Sequence, residues 1–108
     1  MSKKSVRKLR PIHPGETLLE DCMKPLHLSG NQLSIALRIT PQQISEIVNG
    51  KRGVSPATAL RLARYFKTSP EFWMNLQSHF ELERAEDEIG VAVEKQIEPM
   101  MEHAGSAR

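Results

Sequence analysis

Polar side chains between Gln42 and Asn49 have the types and the spacing needed for recognition by hydrogen bonds. They are Gln42, Ser45, Glu46 and Asn49, at positions i, i+3, i+4 and i+7, with Gln43 beside them. Such intervals place side chains on one face of a helix. A glutamine amide can pair with the edge of an adenine through two hydrogen bonds, so this face is suited to reading base pairs in the major groove of DNA. The alternative is a polar face that contacts only water.

Catalytic and metal-binding chemistry has weaker support. The histidines are spread one per segment, without the spacing of a zinc motif: His13, His27, His79 and His103. No glycine-rich phosphate loop precedes a helix, and the acidic run 81–88 is interrupted by Arg84, as is typical of a solvated helix face. The sequence therefore predicts a protein that is not an enzyme and that uses no metal and no cofactor.

The composition is that of one globular domain. The chain has 108 residues, of which 39% are hydrophobic and 26% are charged. Cys22 has no partner for an internal disulfide, so we expect a small core residue in a reducing compartment. No apolar run approaches the roughly 20 residues of a membrane span, and no apolar segment follows the basic N-terminus. We therefore expect a cytoplasmic protein without a membrane partner.

Charge is unevenly distributed, although the net charge is only +2. Residues 29–68 contain six basic side chains and one acid, whereas residues 69–108 contain three basic and nine acidic side chains. A basic middle beside an acidic tail indicates that the middle approaches a polyanion and the tail does not. Solvated faces without a partner are the alternative.

Hydrophobic periodicity and capping residues predict helices and no strand. The predicted helices cover residues 14–24, 29–37 and 40–49, and two more begin at Ser55-Pro56 and Ser69-Pro70. Residues after Gly90 have the composition for one more short helix. The sequence thus predicts an all-α protein.

Three segments follow from this pattern. Residues 1–12 are basic, lack apolar periodicity and are interpreted as a flexible arm. Residues 13–80 are predicted to form the folded domain, and residues 81–108 a charged extension that is partly helical.

The second and third predicted helices have the arrangement of a helix-turn-helix motif over about residues 29–49. Ser29 and Gln32 have the spacing of a capping box, Thr40-Pro41 begins the next helix, and Ala36 is small where the helices would cross. In this motif the second helix enters the major groove, and its N-terminal residues meet the base edges.

Phosphate contacts have candidates at both ends of the motif. The helix capped by Ser29 offers its N-terminal N–H groups and the amide of Gln32, while Lys51 and Arg52 follow the second helix. Arg61 and Arg64 lie three residues apart on the next helix. For these two arginines, phosphate contact and plain solubilising charge are both open.

The last predicted helix carries more aromatic residues than a small core needs. Its apolar positions are Phe72, Trp73, Leu76 and Phe80. We interpret them, with the C-terminal segment, as a candidate dimer interface. The alternative is that they close the core of the monomer.

Four stretches, "HPGE", "ISEIVNGKRG", "TALRLARYF" and "SPEFWMNLQ", carry a more specific signal. With them, residues 13–77 closely resemble the HigA/VapI antitoxins, a branch of the Cro/C1-type (XRE-like) helix-turn-helix proteins. The resemblance implies a five-helix, lambda-repressor-like domain in a homodimer that represses its own operon at a palindromic operator. It also implies a partner toxin of the HigB type, a ribonuclease that cuts mRNA at the ribosome.

The resemblance also assigns roles by position. It places Gln42, Gln43 and Ser45 where the family contacts bases. It places four further residues around the ends that contact the DNA backbone: Thr40, Asn49, Lys51 and Arg52.

Two residues depart from the family pattern. Gly30 stands where relatives commonly carry glutamine, which implies that one backbone contact is absent or has moved to Asn31 or Gln32. Arg38 occupies a turn position that is often glycine, so strain is expected there if its φ is positive.

Three functions are consistent with these observations. The first is an antitoxin that both represses its operon and neutralises a toxin. The second is a stand-alone Cro/C1-type repressor without a toxin, and the third is a protein-interaction module whose motif does not bind DNA.

Overall fold

The computed structural model describes residues 10–101, and this part of the chain forms five helices and no strand. Helix α1 is an α-helical turn, Pro14–Thr17, that continues as a π-helix, Leu18–Met23. The others are α2, Gly30–Leu37; α3, Pro41–Val48; α4, Pro56–Phe66; and α5, Pro70–Gln96. The predicted all-α, five-helix fold is confirmed. Most of the predicted basic arm, residues 1–9, and the last residues, 102–108, lie outside the described part.

Serine and threonine caps set the starts of four helices. The side chains of Ser29, Thr40, Ser55 and Ser69 each accept a hydrogen bond from the backbone N–H three residues later. Proline then occupies the start of α3, α4 and α5, where its missing N–H costs no intrahelical hydrogen bond. These local signals are the reason that the predicted starts agree with the observed ones.

The core is formed by side chains from all five helices and from the loop after α3. Its largest fully buried side chains include Leu18, Leu33, Ile44, Ile47, Leu62 and Trp73. Burying one large aliphatic side chain contributes roughly 1.5–3 kcal/mol to folding. Ile44 and Ile47 belong to α3, so the core holds that helix from its inner side.

Two helices differ from the prediction. The second part of α1 is π-helical: the Lys24 N–H donates to the Leu19 carbonyl oxygen, five residues back, at 2.9 Å. Apolar spacing does not distinguish this geometry from an α-helix.

Up to residue 101, the extra helix predicted after Gly90 is not observed, because α5 continues through that glycine to Gln96. A glycine inside a helix costs only about 1 kcal/mol relative to alanine, and the next proline is Pro99. No helix among residues 10–101 has the length and hydropathy to cross a membrane.

Candidate nucleic-acid interface

A left-handed residue makes the turn between α2 and α3. Arg38 has φ 61° and ψ 41°, and the Ile39 N–H donates to the Ser34 carbonyl oxygen at 3.1 Å. The sequence predicted strain at Arg38 if its φ is positive, and the φ is positive. A side chain in this region costs about 1–2 kcal/mol relative to the right-handed one. The turn therefore has its left-handed geometry although arginine is an unfavourable residue there.

Helix α3 has a buried side and an outer side. Ile44 and Ile47 are 2% and 0% exposed, and they anchor the helix in the core. Of the predicted base-contacting residues, Gln42 and Ser45 are exposed and Gln43 is half-buried. Asn49, at the C-terminal end, is also exposed. The structure therefore brings the predicted polar residues together on one accessible face.

Capping boxes involve both glutamines at the third position of α2 and α3. The Gln32 Oε1 accepts from the Ser29 N–H at 2.9 Å, and the Gln43 Oε1 accepts from the Thr40 N–H at 3.4 Å. The Thr40 Oγ1 in turn accepts a hydrogen bond from the Gln43 N–H at 3.0 Å. Each glutamine keeps its NH₂ group for a further acceptor. A DNA phosphate or a base acceptor fits that requirement.

The remaining polar residues of α3 are paired with one another. The Gln42 Nε2 donates to the Glu46 Oε2 at 3.0 Å, and the Asn49 Nδ2 donates to the Ser45 Oγ at 3.3 Å. Both pairs are four residues apart, as neighbours on a helix surface are. Hydrogen bonds within the helix therefore orient these side chains on the outer face.

The loop after α3 folds back onto the same face. The Arg52 Nε donates to the Glu46 Oε1 at 2.7 Å, and the Lys51 N–H donates to the Glu46 carbonyl oxygen at 2.8 Å. The hydrogen bond from Arg52, followed by that from Gln42, lowers the pKa of the Glu46 carboxyl. Sequence reasoning missed this ion pair, because Arg52 lies beyond the helix end and six residues away.

The start of α1 holds the far end of α3. A Cβ at Gly15 would overlap the carbonyl oxygen of Ile47, so only glycine allows this approach. The Gly15 N–H donates to the Nδ1 of His13 at 2.8 Å, and the His13 ring lies next to Gly50, which has φ 75°. Burial lowers the pKa of His13. From the sequence, "HPGE" signalled only a helix start and a family resemblance; the contact with α3 was not predicted.

A buried glutamine joins the loop after α3 to α5. The Gln77 Oε1 accepts from the Val54 N–H at 2.7 Å, and its Nε2 donates to the Glu81 Oε2 at 2.8 Å. Gly53 leaves room for this side chain, because a Cβ there would lie 2.7 Å from the Gln77 Nε2. The pattern of the last helix gave no signal that one of its polar residues is buried.

The arginines of α4 differ in their contacts. The Arg61 Nη1 donates to the Leu37 carbonyl oxygen at 2.8 Å, and so it satisfies an acceptor at the end of α2. Arg64 is exposed near the exposed side chain of Tyr65. Arg61 thus makes a structural contact, whereas the sequence suggested either a phosphate contact or a solubilising charge.

The predicted dimer residues divide into two groups. Trp73 is fully buried, and its Nε1 donates to the Thr68 Oγ1 at 2.9 Å. It closes the core of the monomer, so its inclusion in the dimer interface is corrected: it has no free surface to offer. Phe72 is 42% exposed, while Leu76 and Phe80 are half-buried.

Comparison with known proteins gives consistent matches. Residues 19–73 match the family model described as Helix-turn-helix. Virulence-associated protein I of Dichelobacter nodosus is 46% identical over 77 residues, which are 71% of this chain and 71% of that protein.

Solved structures match over most of the chain. The structure of Pseudomonas aeruginosa antitoxin HigA with the higBA promoter is 42% identical, covers 85% of this chain and 100% of that one, and superposes with a TM-score of 0.83. Antitoxin GraA in complex with its operator is 38% identical, covers 86% and 94% of the two chains, and has a TM-score of 0.81. The chain therefore belongs to the helix-turn-helix family, in the branch that contains the HigA antitoxins and virulence-associated protein I.

Proposed function

We propose that this protein is the antitoxin of a type II toxin-antitoxin system and a sequence-specific transcriptional repressor of its own operon. The observation that carries the proposal is the exposed polar row of α3, held beyond a left-handed turn and followed by Lys51 and Arg52. Relatives solved with a promoter or an operator support it. The role requires no catalysis, and it places the protein in the cytoplasm with the DNA.

In this mechanism α3 enters the major groove. Gln42, Gln43 and Ser45 face base edges, since they lie on the outer side near the N-terminus of the helix. Phosphates are contacted from the two ends of the motif by Gln32, Thr40, Asn49, Lys51 and Arg52. At Gly30 a Cβ would meet only the Ile44 side chain, at 3.6 Å, so the missing side chain is not a requirement of the fold.

We propose a homodimer, because a palindromic operator has two half-sites related by twofold symmetry. The half-sites would be roughly 34–36 Å apart, one turn of DNA. The surface we assign to the dimer is on α5: Phe72, with the partly exposed Leu76 and Phe80, and beyond them the apolar row Leu82, Ile89 and Val93. Those three are 58%, 53% and 40% exposed, more apolar surface than a helix normally leaves in water.

The toxin partner is proposed to be a HigB-like ribonuclease. Nucleases of RNA are commonly basic at the surface that meets the substrate, and the acidic stretch 81–88 of α5 is the complementary candidate. Glu81 and Asp87 are exposed there, away from the row of Leu82, Ile89 and Val93. The basic side chains of residues 1–12 are then proposed to contact DNA and not the toxin.

Two experiments, copurification and retardation of DNA, test the two halves of the proposal. The product of the neighbouring reading frame should copurify with this protein, and the protein should retard duplex DNA from upstream of its own gene, less so as salt increases. DNA retardation without a toxin in the neighbouring frame would favour the stand-alone repressor. Toxin binding with no retardation of upstream DNA would contradict the repressor half and favour an interaction module.

A further inference from the structure

Glu46 lies at the centre of the outer face of α3, and both of its carboxylate oxygens are engaged inside the protein. Oε1 accepts from the Arg52 Nε at 2.7 Å, and Oε2 accepts from the Gln42 Nε2 at 3.0 Å. The Glu46 side chain is 28% exposed, against 46% for that of Arg52. One carboxylate therefore joins a predicted base reader to a predicted phosphate contact.

The contact with Glu46 orients the amide of Gln42. A glutamine amide has one acceptor oxygen and two N–H donors. Glu46 uses one donor and leaves the Oε1 and the second N–H of Gln42 free, which are the two groups that pair with an adenine. The carboxylate also settles which end of the amide carries nitrogen, because a carboxylate accepts and cannot donate.

The other carboxylate oxygen of Glu46 restricts the Arg52 side chain in the same way. Among the hydrogen bonds of residues 10–101, the Arg52 side chain uses only its Nε, so both Nη groups are available to DNA. The guanidinium comes from the loop, and the ion pair fixes it beside Gln42.

The negative charge of Glu46 opposes DNA binding in general. A carboxylate in the groove repels phosphates whatever the sequence, and pairing with Arg52 removes one positive charge from the net field. A residue that weakens binding to every duplex contributes to recognition only if it increases the difference in affinity between the selected duplex and other duplexes.

We propose that Glu46 is a positioning residue for sequence discrimination: it orients the Gln42 amide and tethers Arg52, and it does not itself pair with a base. The inference rests on the proposed DNA-binding function. In this inference Glu46 increases the selectivity of α3 and lowers its affinity for DNA in general.

The test compares wild type with Glu46→Gln, Glu46→Asp, Gln42→Ala and the Gln42→Ala/Glu46→Gln double variant. Each selects duplexes from a randomised DNA pool, and each is then titrated with the duplex that wild type selects and with a scrambled duplex at several salt concentrations. Glu20→Gln is the matched control, since Glu20 forms an exposed ion pair with Lys24 at 3.0 Å on α1. Circular dichroism and thermal unfolding check that every variant is folded.

Glu46→Gln is expected to bind the scrambled duplex severalfold more tightly and to lower the ratio of selected to scrambled affinity by about tenfold. The salt dependence should steepen by about one counterion per protomer. Glu46→Asp retains the charge but shortens the side chain, so it should lose discrimination without the gain on scrambled DNA. In the Gln42→Ala background, Glu46→Gln should have no further effect on base preference, because the amide that it orients is absent.

Two results would overturn the inference and leave the proposed function standing. One is unchanged discrimination in both Glu46 variants. The other is an equal loss of base preference with and without Gln42, which would mean that Glu46 reads a base directly. If wild type itself fails to discriminate between duplexes, the proposed function and the inference fall together.

Discussion

At the scale of single residues, the turn residue Arg38 determines the backbone geometry between α2 and α3. It occupies the left-handed region with φ 61°, and its backbone sets the angle at which α3 leaves α2. Its side chain is exposed, so it contributes little to the core. The geometry of the motif is thus retained here despite an unfavourable residue type.

Replacing Arg38 with glycine should stabilise the fold. Glycine adopts positive φ without steric cost, and this gain of about 1–2 kcal/mol exceeds the extra entropy that glycine has in the unfolded chain. We expect a net increase of about 0.5–1 kcal/mol in the free energy of unfolding, measured by urea denaturation. Arg38→Ala is the control, because it removes the side chain but keeps the strain. Equal stabilities of the glycine and alanine variants would contradict this explanation.

At the scale of elements, the start of α1 is a clamp on the recognition helix. Gly15 permits contact with the carbonyl of Ile47, while the ring of His13 caps α1 and lies against Phe80, with centroids 4.8 Å apart. The His13 Nδ1 must be unprotonated in order to accept the Gly15 N–H. The position of α3 is therefore coupled to the charge of one buried ring.

This coupling predicts a pH dependence of stability. Burial lowers the pKa of folded His13 below 6.5, the usual value, although the backbone of Arg52 and the charge of Glu16 oppose the shift. The unfolded state therefore binds more protons below about pH 6.5, so the stabilising contribution is complete above that pH and declines as pH falls towards the folded pKa.

His13→Asn should reduce this decline, because asparagine also caps helices and does not titrate. The measurement is the free energy of unfolding of both proteins at pH 7.5, 6.5 and 5.5, with conditions otherwise matched. An identical pH profile for the variant and wild type would show that another group is responsible.

The sequence predicted those parts of the fold that depend on local signals. Thr40-Pro41, Ser55-Pro56 and Ser69-Pro70 marked helix starts correctly, because a cap involves residues only three positions apart. The inner side of α3 was also predictable from the spacing of its isoleucines.

Contacts between distant residues were less accessible. Trp73 and Phe72 are adjacent in the last helix, yet one is fully buried and the other is 42% exposed, and only the packing of α4 against α5 decides which. The contacts of Gln77 with the backbone of Val54 and of Gly15 with Ile47 likewise join separate elements. In the candidate site, the positions of the glutamines followed from periodicity, but the pairing of Glu46 with Arg52 did not.

At the scale of the whole molecule, the fold separates a recognition end from an acidic helix. The polar face of α3 and the basic loop at Lys51 and Arg52 lie in the middle segment, which contains six basic side chains and one acid. Helix α5 extends from the domain, and the described part of the chain measures 56 × 32 × 25 Å. This arrangement supports the proposal that DNA meets one end while α5 remains available for protein partners.

The central claim is that α3 reads base sequence, and the affinity of Gln42→Ala for DNA tests it most directly. The probes are the duplex selected by wild type from a randomised pool and a scrambled duplex of the same length. Glu20→Ala, at an exposed position of α1 outside the motif and the proposed dimer surface, is the control. Because one bidentate base contact is worth about 1–3 kcal/mol, Gln42→Ala should bind the selected duplex about 5- to 150-fold more weakly, with scrambled-duplex binding and Glu20→Ala unchanged. Wild-type affinity of Gln42→Ala for the selected duplex, or an equal loss on both duplexes, would contradict the account.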